Sequence, residues 1–292
     1  MKERVVLIGP GRLGQAIANL LCEAGYDLRA LIGRDPVRAL AAARFAGCRE
    51  AATTDLSRAR EGELVLLTLP DDSIGEIAAQ LRRQGYLAPG AVLVHFSGIH
   101  RAAILLGEEG PALQAFSAHP LQSFPDAVIG VQILPGSPFA IEGSEQVLPL
   151  AERLVRDLGG IPFRIAGEHK ALYHAAACIA SNYLVTLVAT AGELLGSCGF
   201  DSLTAFRLVA PLLRGTLNNV SVLGPEGALT GPIARGDLRT VEKHLQALAQ
   251  LPPEFTEIYR VLGNKTAQLA ERRGSLTAEK GELLRELLGQ GE

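Results

Sequence analysis

Two periods alternate along the first 165 residues. Residues 5–8 form an apolar run ending in glycine. Leu13, Ala16, Ile17, Leu20 and Leu21 then recur at helical spacing until Gly25, and Leu28, Ala30 and Ile32 alternate as a second strand. Asp35-Pro36 opens another helix, proline being suited to a first helical position. The run 63–69 (ELVLLTL) is apolar on both faces, as befits a strand covered on both sides; a helix from Ser73 and a strand at 91–96 follow it. Strands at 113–117, 139–141 and 162–165, with a helix over 144–158, extend the series. Such alternation predicts a parallel, doubly wound sheet of Rossmann type.

After Gly167 only the helical period remains. It predicts helices over 168–195, 202–222 with a kink at Pro211, 237–251, 254–272 and 277–288. Asp237 is placed to cap the third of these, whose apolar face is Leu238, Val241, Leu245 and Leu248. Residues 224–237 (GPEGALTGPIARGD) are too rich in glycine and proline for a helix and read as a loop. Either they connect two helices, or they close over a cleft and offer Arg235 to a substrate carboxylate. The fold class is therefore α/β: a Rossmann-type domain over 1–166, followed by an all-α domain over 167–292. From Ala171 to Gly192 no residue carries a formal charge, a stretch long enough to span a bilayer. Because His174, Ser181, Asn182, Tyr183, Thr186 and Thr190 interrupt it, it reads as a buried core helix.

Charge narrows the partners. The 28 Lys+Arg against 31 Asp+Glu leave a net charge of −3 with no basic run, which argues against a dedicated nucleic-acid binder. The four cysteines form no C-x-x-C pair, so neither a metal site nor a disulfide framework is expected, and free buried thiols are. The apolar run before Gly9-Pro10 is too short for a signal-peptide core, which points to the cytoplasm and away from membranes. Small molecules are the expected partners.

Gly9-Pro10-Gly11-Arg12-Leu13-Gly14 is G-x-G-x-x-G, set between a strand and an amphipathic helix. The first glycine makes a tight turn, the second admits a pyrophosphate to the backbone, and the third lets helix pack on strand. At the end of the second strand, where the adenosine ribose of a bound dinucleotide lies, stands Gly33-Arg34-Asp35-Pro36-Val37-Arg38. A carboxylate there suits NAD, and an arginine suits the extra phosphate of NADP. Asp35 reads as the N-cap of the next helix, leaving Arg34, assisted by Arg38, to specify NADP(H). Leu69, Pro70 and Asp71 leave the fourth strand at the edge where ligands of such sheets collect, while Asp72 or Ser73 reads as a helix cap.

The segments VLIGPGRLGQAIA, GRDPVRA, LLTLPDDSIGEIA, HFSG, SAHPLQSF and ALTGPIARGDLRTVEKHL together give the chain a resemblance. It resembles Rossmann-like proteins with a C-terminal helical domain of unknown function, distant relatives of the F420-dependent NADP oxidoreductases. Its architecture is also similar to that of pyrroline-5-carboxylate reductase, ketopantoate reductase, prephenate dehydrogenase and the 6-phosphogluconate dehydrogenase group. The resemblance covers nearly the whole chain and implies hydride transfer between NADP(H) and a small C=O or C=N compound, with a carboxylate-bearing compound among the options. It also implies a homodimer formed through the helical domain. Reduced F420 as hydride source has no specifying feature here.

Lys170, His174, Cys178, Ser181 and Asn182 follow at helical spacing. β-Hydroxyacid dehydrogenases and ketopantoate reductase carry a catalytic lysine at the start of the corresponding helix and an asparagine four residues on. Lys170 fits that pattern, and His174 departs from it. Ser97-Gly98 and His119-Pro120 look like the loops by which prephenate dehydrogenases bring a serine and a histidine to the reacting carbon. The expected set is thus Lys170 or His119 to move the proton, an imidazole titrating near neutral pH, with Ser97, His174 and Asn182 orienting the substrate. Cys178 and His95 read as packing. Two other outcomes are consistent with the same residues: an oxidative enzyme of prephenate dehydrogenase type, and a non-catalytic NADPH-binding sensor or scaffold.

Overall fold

The computed structural model of the chain describes residues 2–107 and 113–289. Strands and helices alternate as β1 (Arg4–Ile8), α1 (Arg12–Glu23), β2 (Asp27–Ile32), α2 (Pro36–Phe45), β3 (Ala52–Thr53), β4 (Leu64–Leu67), α3 (Asp71–Arg83) and β5 (Val92–His95). They continue with β6 (Gln114–Pro120), α4 (Ala127–Ile133), β7 (Pro138–Gly143), α5 (Leu148–Asp157) and β8 (Ile161–Arg164). Among the described residues these strands form one eight-stranded sheet in the order β3-β2-β1-β4-β5-β6-β7-β8, an α/β sheet of Rossmann type. β1, β4 and β5 are buried along almost their whole length, as uninterrupted Val/Leu/Ile runs require when helices cover both faces. One apolar layer, with Leu7, Leu66, Val94 and Phe116, packs against α1 and α5. The other, with Val6, Val65 and Leu93, packs against α3.

The sheet departs from the sequence expectation at its far edge. β7 runs antiparallel to β6, while β7 and β8 are parallel to each other. The short strand β3 and helix α4 were not signalled by periodicity, being two and seven residues long. β6 extends through Pro120, so His119 stands inside a strand and not in a loop after it. Of the cysteines, Cys22 and Cys48 meet through a side-chain hydrogen bond despite their separation, and Cys198 is exposed where burial was expected.

Compactness divides the chain into Met1–Tyr183 and Leu184–Glu292. The change from mixed to helical structure falls near 166, but helix α6 (Lys170–Ala180) belongs with the first unit. The predicted single helix over 168–195 is broken at Ser181 (φ −117°, ψ −69°), after which α7 (Asn182–Ser197) begins. By length and composition the helical stretch Gly167–Ser197 is apolar enough to cross a membrane. The expectation of a buried core helix is not met: in this chain Leu172 is 75% exposed and Val185 70% exposed. An uncharged run records that a helix can be covered, not that its own chain covers it.

The second unit continues with α8 (Ser202–Ala228), α9 (Pro232–Arg235), α10 (Leu238–Leu248), α11 (Pro253–Arg273) and α12 (Ala278–Gly289). Its core joins Ile233, Val241, Ala267, Ala270, Leu284 and Leu288 from α9 to α12. Asp237 caps α10 by accepting the Thr240 N–H, as predicted. The segment predicted as a loop from 224 is corrected: helix persists to Ala228 across a break at Gly224 and resumes briefly at Pro232. Glycine and proline there punctuate helices without abolishing them.

Candidate functional site

β1 ends at Ile8 and the chain turns at Gly9, where φ is 97°, a conformation natural to glycine. A Cβ at Gly9 would also stand 2.7 Å from the Thr68 carbonyl oxygen. At Gly14 a Cβ would stand 2.5 Å from both the Gly9 carbonyl oxygen and Thr68 Oγ1. The Thr68 hydroxyl donates to that same carbonyl at 2.7 Å, tying the end of β4 to the glycine loop. Gly11 is different in kind. It is exposed, nothing lies within 4 Å of the Cβ it lacks, and it caps α1 with no side chain to satisfy the first-turn N–H groups of Arg12, Leu13 and Gly14. Open space before an uncapped helix start, where the macrodipole is positive, fits a phosphate or pyrophosphate.

A cavity of about 670 Å³ opens over this loop and is lined by Gly9, Pro10, Gly11, Arg34, Arg38 and Leu69, with Pro70 and Ser73 beside them. Such a volume lies in the usual range of small-molecule sites, roughly 300–1,000 Å³. Asp35 caps α2, accepting the N–H groups of Val37 at 2.8 Å and Arg38 at 3.2 Å, so its carboxylate is engaged as expected. Arg34 and Arg38 are exposed at the cavity. The cap expected at Asp72 or Ser73 is corrected. Pro70 is the N-cap of α3, and Asp71 and Asp72 occupy its first turn, where a helix favours negative charge.

β4, β5 and β6 are mutually parallel to β1, so their carboxyl ends lie on the edge that carries the glycine loop. Here a second cluster forms, and Lys170 is at its centre. The Lys170 side chain is fully buried. Its Nζ donates to the Ser97 carbonyl at 3.1 Å and to Ser117 Oγ at 2.7 Å. Ser117 Oγ in turn donates to Glu142 Oε2 at 3.2 Å. Burial lowers the Lys170 amine to about 8, opposed by the carboxylates of Glu142 and Asp71.

His119 Nδ1 and the Tyr173 hydroxyl are 2.8 Å apart, and the His119 and His174 rings meet edge to face with centroids 5.7 Å apart. Both rings press on Gly98, where a Cβ would stand 2.4 Å from His174 Nδ1 and 2.9 Å from His119 Nε2. The near-neutral titration expected of His119 is corrected: burial first, then the charges of His174 and Lys170, lower it to about 4. His119 is a neutral imidazole at pH 7. His95, fully buried in β5, accepts the Ser97 N–H at 3.1 Å and is lowered to about 3 by burial and by Lys170, consistent with a structural part. The Ser97 hydroxyl accepts the N–H groups of Ile99 and His100, holding the turn that presents its carbonyl to Lys170.

The structure thus assembles Lys170, His119, His174 and Ser97, and leaves Asn182 exposed at the start of α7. His174 Nε2 lies 3.9 Å from Cys178 Sγ, and its Nδ1 is buried without a partner among the described residues. Four participants escaped the sequence reading: Thr68, Ser117, Glu142 and Tyr173. Ser117 had a signal, because the two-residue strand period puts it on the face of His119. Glu142 had none, since its approach depends on an antiparallel pairing that the α/β alternation does not predict.

Residues 1–119 match the Rossmann-like domain, and residues 137–266 match DUF2520, a domain of unknown function. A protein of Thermotoga maritima shares the fold over 98% of both chains, with 27% identity and a TM-score of 0.65. A Bacteroides fragilis protein whose name proposes an NADP oxidoreductase superposes over 91% of this chain and 98% of its own, with 25% identity and a TM-score of 0.71. The glycerol-3-phosphate dehydrogenase (NAD(P)+) of Beijerinckia indica is 26% identical over 242 residues, 76% of this chain and 71% of that protein. The structural likenesses extend to the dehydrogenases and reductases of the NAD(P)-binding fold.

Proposed function

For a chain that joins a Rossmann-like domain to a DUF2520 domain, we propose an NADP(H)-dependent oxidoreductase acting on a small carbonyl or imine compound, carboxylate-bearing compounds among the options. The observation that carries this reading is the buried Lys170 amine, held between Ser97 and Ser117 on the sheet edge shared with the glycine-loop cavity. When bound, the reduced nicotinamide supplies a hydride, two electrons and one proton, to the substrate carbon. The chain's residues hold and orient.

Gly9, Pro10 and Gly11 shape the turn, and the first-turn N–H groups of Arg12, Leu13 and Gly14 receive the pyrophosphate. Arg34 and Arg38 receive the phosphate that distinguishes NADP from NAD, because Asp35 is engaged as a cap. Leu69, Pro70 and Asp71, where the chain leaves β4, would cover the bound cofactor with backbone. Lys170, mostly protonated at pH 7 with an affinity near 8, gives its proton to the substrate oxygen or nitrogen as negative charge develops there, and becomes the neutral amine. His119, neutral and fixed by Tyr173, donates a hydrogen bond to the substrate, and His174, edge to face with it, orients the substrate. Ser97 acts through its carbonyl, which aims Lys170.

A second copy of the chain is the proposed partner, joined through the helical region. The uncharged run and the exposed apolar residues of α7 and α8 support it.

Calorimetry tests the cofactor. We expect NADPH to bind about ten- to hundredfold more tightly than NADH, a preference worth roughly 1.5–3 kcal/mol, and Arg34→Ala to erase it. Absence of binding by either nucleotide would overturn the reading. With binding in place, loss of about a hundredfold or more in NADPH oxidation by Lys170→Met across carbonyl and imine compounds is the expected catalytic signature. Binding without turnover on any of them would favour a sensor.

A further inference from the structure

β6 and β7 pair antiparallel, with Ser117 directly opposite Glu142, so the pleat turns both side chains to one face. Lys170 comes down on that face from α6. Donor and acceptor roles are fixed by chemistry: an ammonium has only donors, so Lys170 donates to Ser117 Oγ, and the Ser117 hydroxyl spends its own proton on Glu142. Glu142 Oε2 is held in turn by the Ala102 N–H at 2.7 Å, at the start of the short 3-10 helix Ala102–Leu105. Ser117 is fully buried and Glu142 partly so, an arrangement in which a carboxylate one hydroxyl away offsets the cost of a buried ammonium.

We infer that Ser117 and Glu142 are positioning residues for Lys170: the Lys170–Ser117–Glu142 chain keeps the amine charged when the site is empty and spends two of its three N–H groups, with Ser97, so that the third is aimed at the substrate. This rests on the reading of Lys170 as proton donor, but its electrostatic content is independent of any cofactor. The other charged or titratable groups that face the amine are Asp71 from α3, His95 from β5 and His119 from β6, with His174 beyond them on its own helix. Asp71, in the first turn of α3, also favours the ammonium. The three imidazoles add no negative charge, so Glu142 is the carboxylate whose removal leaves the β6–β7 side without one.

The chain has five lysines, and Nζ-labelled lysine followed by NMR against pH reads Lys170 individually, the resonance assigned by its loss in Lys170→Met. Glu142→Gln, which keeps shape and removes charge, is expected to lower the Lys170 midpoint by about one unit or more. Glu142→Asp, which keeps the charge, should stay nearer the parent. Circular dichroism on the same samples reports the fold. A folded Glu142→Gln protein with an unmoved Lys170 midpoint overturns the inference. Should that variant not fold, Ser117→Ala decides it in the same way, a lowered midpoint supporting the chain and an unchanged one refuting it. The titration uses the protein without nucleotide, so failure to bind NADPH defeats the oxidoreductase reading alone, while an unmoved midpoint defeats this inference alone.

Discussion

Lys170 is a long cationic side chain with no exposed surface, and its surroundings give it a measurable signature in stability. Its proton affinity falls from the ordinary 10.5 to about 8 because burial penalises the charged form. Below about pH 8 folded and unfolded chains both carry this proton, and the difference between them is constant. Between about pH 8 and 10.5 the folded chain has released the proton while the unfolded chain still holds it, so stability rises with pH across that window. Compared with Lys170→Met, the parent protein should gain about 3 kcal/mol from pH 8 to 10.5, read by urea unfolding at successive pH values. Parallel curves for the two proteins would show that the amine is no less basic folded than unfolded. The glycine loop was legible in the sequence because Gly9, Gly11 and Gly14 answer to backbone sterics that act over a few residues. Lys170 was legible as a candidate through its position after the last strand. Of its partners, Ser117 had a signal in the strand period that puts it on the face of His119, whereas Glu142 reaches the site only through the antiparallel β6–β7 pairing, which local periodicity does not encode.

Helices α7 and α8 show what element-level reading captures and what it misses. The helical period predicted one helix over 168–195 and another over 202–222, yet the stop at Ser181 and the continuation past Gly224 lie beyond a periodic signal, because one glycine or proline can end a helix, bend it or leave it intact. Pro211 sits inside α8, whereas Gly224, just before Pro225, takes φ 71° and ψ 170°, a region open in practice only to glycine. No atom lies within 4 Å of a Cβ at either Gly215 or Gly224, so substituting them isolates backbone cost from packing. Gly224→Ala should destabilise by about 1–3 kcal/mol, since alanine resists that conformation. Gly215→Ala, in the regular part of the same helix, should stabilise by about 0.5–1 kcal/mol. Chemical denaturation of both variants checks the pair. Equal effects would mean that the break at Gly224 is not a feature of the folded protein.

At the scale of the whole molecule, apolar surface is the unresolved force. The second unit has a core drawn from α9 to α12, while Leu208, Leu212, Leu217, Val222 and Leu223 of α8 stand between 50% and 72% exposed. In α7, Val185 is 70% exposed within a run that has no formal charge. Soluble monomers seldom present contiguous apolar patches beyond a few hundred Å². Residues 171–192 carry no formal charge, and α8 carries Arg207 and Arg214 among its exposed leucines; an apolar face so sparsely charged is complementary to itself, which favours a second copy of the chain over a strongly charged partner. Sedimentation at micromolar concentration should therefore give twice the chain mass. Val185→Glu or Leu212→Glu should halve it, because each would bury an unpaired carboxylate in the contact. A parent protein that stays monomeric to about 100 µM, on a scale where stable interfaces reach Kd values of a micromolar or tighter, would refute dimerisation through these helices. Monomers that float with lipid vesicles would instead assign the surface to a bilayer, the environment for which the stretch Gly167–Ser197 is long and apolar enough.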